Sequence, residues 1–579
     1  MKKQNRMKIT GRENTYLYSL CIVMVCMVIN LIIWKPYYYV NDDYIIRDIL
    51  SGRYSGVADA HIYNVIYPFA WILMKLYAMF PTVEIWGGYL WLMMYVCMFL
   101  IITRVLRKSG YNVIVLLFTA IFLNIGLLYG MNFFTFTTTG AVCAATGLFL
   151  WSTDENKFSW RGYFIPLLLM LASFCTRKDT FFMVLPFYVL ACIHEIVSSP
   201  KRKTVLEMLK IISVLGIACI TLWVSHVNAY ADNEWQDFLE FRSLRKSVHD
   251  FGGYPDYEIE KQLYDEIGIS YEEYMAVGTT GAGGVNTALD YSNDIRSILR
   301  QVGEWYKRAK QDQTITLRIF QSFETLKNRF NQPQKMTVWM VFILQISFAV
   351  DYIINMKYKF LLTSILGSLL FMAEIFGLIY MGRITMAVMN GELVTILLFQ
   401  IGIYINYFCE IQNCIEENRN KKMLIVCIGA GIIGLNEWIS LINGNQSIYA
   451  NRAVMTNTML EYCKNNESNI YFEPAIEIGD HSYPLEIIDC DFNNLITLGG
   501  WNYSSPEWND MLSSFGIEGS VEQAILEYDN VYIVSRERFI ENILNYFEWK
   551  YGDDITMNIT DKLNYEFEDI FVYSINYKN

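Results

Sequence analysis

Apolar runs recur along most of the chain and are separated by short polar segments. A run of roughly 17 to 25 apolar residues can cross a bilayer, because a helix satisfies its own backbone hydrogen bonds where water is absent. The pattern predicts about eleven such spans, near residues 16–34, 85–103, 111–130, 133–151, 162–176, 180–197, 208–226, 337–354, 359–380, 386–408 and 423–442. The sequence therefore predicts a polytopic α-helical membrane protein.

One apolar stretch, residues 63–80, does not fit as a span. Counting it would place Arg104, Arg107 and Lys108 on the outer side, whereas short cytoplasmic loops are the ones that retain Lys and Arg. We therefore expect residues 63–80 to form a helix that lies on the outer surface of the membrane.

The distribution of basic residues predicts the orientation. The short segments predicted to be cytoplasmic carry 19 Lys and Arg residues, against 7 in outer segments of comparable total length. Because positive charge is retained inside, the N-terminus is predicted to be cytoplasmic and the C-terminal part extracytoplasmic, in a multi-pass protein of the cell membrane.

Four parts follow from this topology. We expect an N-terminal transmembrane module (1–226) with an outer loop at 35–84, a mostly helical extracytoplasmic insertion (227–335), C-terminal transmembrane helices (336–442) and a small extracytoplasmic α/β domain (443–579). In the insertion, apolar residues recur at helical spacing between positions 295 and 305. In the last part, short apolar runs alternate with a helical pattern over 536–551.

Composition agrees with a bilayer as solvent, since 53% of residues are hydrophobic and 18% are charged. From Leu441 onwards the chain has 23 acidic and 7 basic residues, a balance that repels nucleic acid and predicts no nucleic-acid partner. The five histidines are scattered and the 12 cysteines show no paired spacing, so the sequence does not indicate a zinc enzyme.

Two adjacent carboxylates, Asp42 and Asp43, follow the first predicted span by a few residues. Such a pair can supply a general base or a metal ligand, because proximity raises the pKa of one member. The structural alternative is that they cap a helix that begins near Tyr44.

A second polar cluster, Arg177-Lys178-Asp179, interrupts one long apolar stretch. Charges at mid-bilayer cost about 2.5–3.5 kcal/mol each, so the cluster predicts a tight outer turn. Its two cations suit a phosphate, although a turn needs only polar residues.

Other candidates are weaker. Arg383 lies in a third outer turn, and Glu374 lies in the preceding span, where it serves either a structural ion pair or a substrate. Arg47 and His61 belong to the first outer loop and could support Asp42 and Asp43. Trp501 could stack on a sugar ring or pack in a turn.

These features resemble the glycosyltransferase C superfamily, membrane enzymes that take a sugar from a polyprenyl-phosphate carrier. The resemblance covers roughly residues 16–226 and rests on Asn41-Asp42-Asp43, the surface helix at 63–80, and Arg177-Lys178-Asp179 followed by Leu185-Pro186. The insertion and the C-terminal part resemble those of uncharacterised bacterial membrane proteins. An Asp-Asp pair stands here where the superfamily often has Asp with Glu.

The resemblance implies that Asp42 or Asp43 deprotonates the acceptor, that Arg177 and Lys178 bind the lipid phosphate, and that Arg383 assists the leaving group. It implies a lipid-linked sugar donor, contact with membrane lipid, and an acceptor that is a glycan, a lipid or a protein of the cell envelope. No cofactor is assigned, and a divalent metal stays open. The alternatives are a polysaccharide polymerase, a lipid-linked glycan transporter and a surface sensor.

Overall fold

The computed structural model describes residues 2–39, 41–109, 113–198, 202–250, 253–278, 286–330, 335–382, 384–411, 417–474, 483–485, 494–564 and 569–578. The described part of the chain is mostly helical. Its first half comprises α1 (Lys2–Ile33), β1 (Tyr37–Tyr38), α2 (Asn41–Ser51), α3 (Tyr67–Met79), α4 (Ile85–Ser109), α5 (Val113–Asn132), β2 (Phe133–Phe134), α6 (Phe136–Ser152), α7 (Trp160–Thr176), α8 (Lys178–Ser198) and α9 (Arg202–Ala229).

The second half begins with the helices of the insertion. These are α10 (Asn233–His249), α11 (Lys261–Ile267), α12 (Tyr271–Gly278), α13 (Ile295–Asp312) and α14 (Ile315–Phe330). Four long helices follow: α15 (Lys335–Ile354), α16 (Tyr358–Met381), α17 (Met386–Ile411) and α18 (Glu417–Asn465). The C-terminal domain contains β3 (Ile470–Glu473), β4 (Leu495–Thr497), α19 (Pro506–Ser514), α20 (Val521–Glu527), β5 (Val531–Arg536), α21 (Glu537–Tyr551), β6 (Ile555–Leu563) and β7 (Ile570–Tyr577).

Each of the eleven predicted spans overlaps one long helix, namely α1, α4 to α9 or α15 to α18. Within the described residues, six helices are both long and apolar enough to cross a membrane: α1, α4, α8, α9, α16 and α17. The prediction of a helical membrane protein is therefore confirmed at this level. The number of eleven spans stays a prediction.

Two helices form the centre of the bundle. In α6 every residue from Phe136 to Trp151 is buried, and the window of α17 that could cross a membrane is 89% buried. A helix that is enclosed on all sides needs no polar face, which explains why α6 is apolar or small around its whole circumference.

The predicted surface helix corresponds to α3, which is shorter than the apolar stretch that predicted it. It begins after Ile66 with a proline in its first turn. The Ile66 amide donates a hydrogen bond to the carbonyl oxygen of Cys175 at 2.9 Å, which fastens the start of α3 to the end of α7. Trp71, Ile72 and Met79 are exposed along α3, as expected for an apolar helix with one unpacked side.

The C-terminal domain is a mixed α/β structure, as predicted. Its sheet has the strand order β4-β3-β5-β7-β6. Strands β4, β3 and β5 are parallel, whereas β7 is antiparallel to both β5 and β6. Buried side chains on one side of the sheet, including Phe472 and Ile533, form a core with those of α19, α20 and α21.

The insertion and the C-terminal domain pack against each other. The Asp290 amide donates to Glu522 Oε2 at 2.7 Å, and the rings of Phe241 and Tyr503 meet edge to face at 5.3 Å. These two parts, which are distant in sequence, therefore form one continuous body.

Helix α18 joins the bundle to the C-terminal domain without interruption. It contains 49 residues and passes the predicted boundary between positions 442 and 443. Its side chains also hold the segment between α1 and α2: Gln446 Nε2 donates to the Lys35 carbonyl at 2.7 Å, and the Tyr449 hydroxyl donates to the Tyr39 carbonyl at 3.0 Å.

Candidate functional site

A cavity of about 960 Å³ lies between the ends of the bundle helices, the insertion and the C-terminal domain. Its described wall comes from the start of α2, the α2–α3 loop, the start of α6, the α7–α8 turn, α10, the α16–α17 junction and the loop before α19. The polar and charged residues in its wall are Tyr39, Asp42, Tyr63, Asn64, Thr135, Thr137, Arg177, Lys178, Asp179, Thr180, Arg242, Arg245, Lys246, Asp250, Glu374, Thr385, Glu392 and Trp501.

A short parallel pairing brings Asp42 to this cavity. Strand β1 pairs with β2 in the register Tyr37 with Phe133, and the Tyr39 amide then donates to the Phe134 carbonyl at 3.1 Å. Helix α2 begins at Asn41, immediately after this pairing. The first turn of α2 therefore lies beside the first turn of α6.

The two adjacent aspartates have different surroundings. Asp42 lines the cavity and makes no hydrogen bond among the described residues. Asp43 is fully buried, and its Oδ1 accepts hydrogen bonds from Trp86 Nε1 and from the Phe136 amide, each at 3.1 Å. Asp43 thus joins α2 to α4 and α6, while Asp42 faces the open space.

Burial and charge set the pKa of each aspartate. Burial raises the pKa of Asp42 above its ordinary value, and the cations Arg177, Arg242 and Arg245 partly offset this by favouring the carboxylate. Burial raises the pKa of Asp43 well above its ordinary value, and the neighbouring charge of Asp42 adds to the effect. Asp42 is the member of the pair that combines access to the cavity with cations nearby.

The α7–α8 turn places Arg177 in the cavity wall. Its backbone is extended, which ends α7 and lets α8 start at the next residue. The Arg177 Nη1 donates to the Thr137 hydroxyl at 2.5 Å, and the guanidinium lies 4.6 Å from the centre of the Phe136 ring. Asp179 Oδ2 lies 3.8 Å from Arg177 Nε, and the Asp179 side chain is 68% exposed, so water screens this ion pair. The turn predicted from the charged cluster is therefore confirmed as a turn between two helices.

One aromatic ring, that of Tyr63, contacts two cations of the wall. The Arg242 guanidinium carbon lies 3.5 Å from the centre of the ring, and Lys178 Nζ lies 5.2 Å from it. Lys178 also lies 4.3 Å from the centre of the Trp223 ring. Such contacts hold a cation in place without neutralising its charge, because the attraction comes from the ring quadrupole.

Helix α10 supplies three cations that the sequence analysis missed: Arg242, Arg245 and Lys246. Their spacing of three and four residues places them on one face of the helix. This spacing could have been noticed, but only the fold shows that the face points to Asp42. Burial lowers the pKa of Arg242 and of Arg245, and the carboxylates of Asp250 and Asp42 counter this.

Two carboxyl groups and several apolar side chains form the part of the cavity between the bundle helices. Glu374 of α16 and Glu392 of α17 contact each other there. Phe182, Leu378 and Val388 are among the apolar residues beside them. The cavity is thus cationic where α10 and the α7–α8 turn meet and mainly apolar between α8, α16 and α17.

The remaining candidates lie elsewhere. Arg47 is fully buried, pairs with Asp48 at 2.9 Å and does not line the cavity. His61 pairs with Asp59 outside the cavity wall. Arg383 lies outside the described residues.

Trp501 lies in the cavity wall, as the sugar-stacking interpretation requires. It follows Gly499 and Gly500, whose φ angles of +128° and +100° are accessible to glycine and strained for other residues. This backbone conformation turns the loop of the C-terminal domain towards the bundle.

No family model, curated protein or solved structure matches the chain. A cavity that holds one carboxylate and several fixed cations can accept a proton from a ligand and stabilise a leaving anion.

Proposed function

We propose that the protein is a membrane glycosyltransferase that moves a sugar from a polyprenyl-phosphate donor to an acceptor on the outer side of the membrane. The observation that carries the proposal is that Asp42 lines one cavity together with Arg177, Lys178, Arg242 and Arg245. A carboxylate and several cations in one cavity match the transition state of glycosyl transfer, in which an acceptor loses a proton while a phosphate leaves.

Asp42 is the proposed base. Its raised pKa makes the carboxylate a better proton acceptor than a fully hydrated aspartate, and no described residue occupies it with a hydrogen bond. The acceptor hydroxyl would lie within hydrogen-bonding distance of Asp42 and attack the anomeric carbon of the donor sugar.

The cations of α10 and the α7–α8 turn are the proposed phosphate site. Arginine suits this role because its planar fork can donate two parallel hydrogen bonds to phosphate oxygens. The buried Nε atoms of Arg242 and Arg245 both lack a hydrogen-bond partner among the described residues, and Arg245 is the leading candidate because Arg242 already donates to Asn64 Oδ1 at 3.3 Å. A phosphate would supply that partner and would neutralise neighbouring positive charges.

The apolar part of the cavity supports a lipid-linked donor. Phe182, Leu378 and Val388 come from three helices that are long and apolar enough to span a membrane or adjoin its surface. A prenyl chain could lie against these helices while its phosphate meets the cations. With this placement the cavity, the insertion and the C-terminal domain face outwards, in accord with the eleven-span topology and a cytoplasmic N-terminus.

The experiment is transfer of labelled sugar from polyprenyl-phosphate donors by the purified full-length protein in detergent. The wild type is compared with Asp42→Asn and Arg245→Ala at equal folded yield. Turnover that is lost in Asp42→Asn supports the proposal. Turnover that survives this change at the wild-type rate removes Asp42 as the base.

One observation favours a second candidate, a transporter of lipid-linked glycan. Glu392, which is buried, and Glu374, which is half-buried, form a carboxyl pair on two membrane-length helices, a feature typical of proton-coupled transport. In proteoliposomes a transporter would move labelled lipid-linked glycan across the bilayer without transferring the sugar, and Glu392→Gln would stop that movement.

A further inference from the structure

Three possible metal ligands gather at a place that does not line the cavity: Asp59, His61 and Glu507. One ligand atom from each lies within 4.8 Å of the others. Asp59 and His61 belong to the loop between α2 and α3, and Glu507 lies in the first turn of α19. One imidazole nitrogen and two carboxylate oxygens are a donor set that divalent transition metals accept.

The orientation of His61 fits a metal ligand. Its Nε2 lies 3.1 Å from the carbonyl oxygen of Ala229, which can only accept a hydrogen bond, so Nε2 carries the hydrogen. His61 Nδ1 lies 2.6 Å from Asp59 Oδ1, the distance of a hydrogen bond from a protonated ring, and a metal ion would take the place of that proton on the Nδ1 lone pair. Metal-bound histidines commonly donate their second ring N–H to a backbone carbonyl in this way.

Glu507 supplies an independent observation. It is only 3% exposed, and its Oε1 is buried without a hydrogen-bond partner in the described part of the chain. The hydroxyl of Tyr230, which interacts electrostatically with Glu507 and Asp59, is also buried and has no partner among those residues. A buried carboxylate oxygen without a donor is unfavourable, and a cation at this point would satisfy it.

Aromatic rings enclose the cluster. The Trp235 ring stacks on His61 with a centroid distance of 4.6 Å, and Tyr230 meets His61 edge on at 5.2 Å. These contacts fix the imidazole plane before any ion binds. Two carboxylates and one neutral imidazole would leave a divalent ion with no net charge, which is the condition for burying it at low cost.

We propose that Asp59, His61 and Glu507 bind one divalent transition-metal ion, with Zn²⁺ the first choice, and that this ion fastens the α2–α3 loop to the C-terminal domain. Zn²⁺ accepts mixed nitrogen and oxygen ligands, whereas Mg²⁺ and Ca²⁺ prefer oxygen alone. The loop that precedes α19 carries Trp501 into the cavity wall, so the ion would hold Trp501 in place. The proposal concerns assembly of the fold and does not rest on glycosyl transfer.

The test uses the full-length protein, purified in detergent without chelator. Elemental analysis is expected to find one Zn²⁺ per chain in the wild type and at least tenfold less in His61→Gln and in Glu507→Gln. Glu518→Gln is the matched control, because Glu518 is an exposed glutamate of the same domain and should retain the ion.

A second measurement uses only the wild-type protein, so its outcome does not depend on whether the variants fold. Wild-type protein stripped with chelator is titrated with Zn²⁺ and, separately, with Mg²⁺, and its apparent Tm is followed. We expect Zn²⁺ to raise the Tm by several degrees and Mg²⁺ to leave it unchanged. A stripped wild type that neither binds Zn²⁺ nor gains Tm overturns the proposal, as does equal Zn²⁺ binding by Glu507→Gln.

Discussion

Asp42 and Asp43 are neighbours in the first turn of α2, yet only Asp42 faces the cavity while Asp43 accepts hydrogen bonds from two other helices. A helix turns by about 100° per residue, so adjacent side chains cannot share one environment. The pair that looks like a catalytic dyad in the sequence is therefore divided between a cavity residue and a packing residue.

This division predicts unequal effects of two matched substitutions. Asp42→Asn removes the proposed base and should lower kcat by about 10² to 10⁴-fold. Asp43→Asn keeps an oxygen that can accept from Trp86 and from the Phe136 amide, so its kcat should stay within a few-fold of the wild type. Both rates are measured in the sugar-transfer assay. Comparable losses in the two variants would contradict the assignment.

The pKa of Asp43 gives a prediction for stability. Because the folded-state pKa is raised, the folded protein binds more protons than the unfolded chain above the ordinary pKa of an aspartate, and stability falls as pH increases through that range. Asp43→Asn removes this penalty. The Tm of the variant minus that of the wild type should therefore be larger at pH 8 than at pH 5. A difference that is the same at both pH values would refute the prediction.

The pKa of Asp42 predicts the acid limb of the activity profile. A general base acts when ionised, so the rate should rise as pH increases through a value above the ordinary aspartate pKa. Arg177→Ala removes a cation that favours the carboxylate, and this limb should then move to higher pH. A profile of kcat/KM against pH for both proteins checks the shift. A limb that moves to lower pH would argue against the contact between these charges.

The cations of α10 should act on donor binding. Removing a charged hydrogen bond costs about 1.5–3 kcal/mol, so Arg245→Ala should raise the KM for the polyprenyl-phosphate donor by roughly 10- to 100-fold. Arg300→Ala is the control, because Arg300 lies on the surface of α13 with its side chain 52% exposed. Equal KM values in the two variants would place the phosphate elsewhere.

Two consecutive glycines of α4 provide a test of packing near the site. A Cβ on Gly87 would lie 2.1 Å from the carbonyl oxygen of Pro484, whereas a Cβ on Gly88 would meet nothing within 4 Å. Gly87→Ala should lower the apparent Tm by several degrees, since overpacking costs about 1–3 kcal/mol. Gly88→Ala should leave the Tm unchanged or raise it, because alanine favours the helix. Thermal unfolding in detergent distinguishes the two.

The site residues that have a signal in their own sequence neighbourhood could be predicted. Asp42 and Arg177 stand out because each is a charge next to an apolar run, and that signal lies within a few residues. The position of Arg245 in the cavity wall could not be predicted, since it depends on how α10 packs against the segments that carry Tyr63 and Asp42. The cluster of His61 and Glu507 likewise forms only when two distant segments meet.

The fold, like the site, could be predicted only where the signal is local in the sequence. Hydropathy predicts where helices lie, because each span satisfies its own hydrogen bonds, and all eleven predictions coincide with helices. Hydropathy contains no information on which helix occupies the centre of the bundle. The complete burial of α6 from Phe136 to Trp151 therefore follows only from the packing of the helices. The continuation of α18 beyond its apolar part was missed because its polar half lacks a hydropathy signal.

Helix α18 also determines how the C-terminal domain is rotated about the helix axis relative to the bundle. At 1.5 Å and 100° per residue, its 49 residues extend for roughly 74 Å, and any inserted residue would swing the attached sheet by about a quarter turn. Trp501 and Glu507 would then point away from the bundle, although neither had been altered. The number of residues in α18 therefore determines how the C-terminal domain is oriented relative to the bundle, and with it whether Trp501 reaches the cavity.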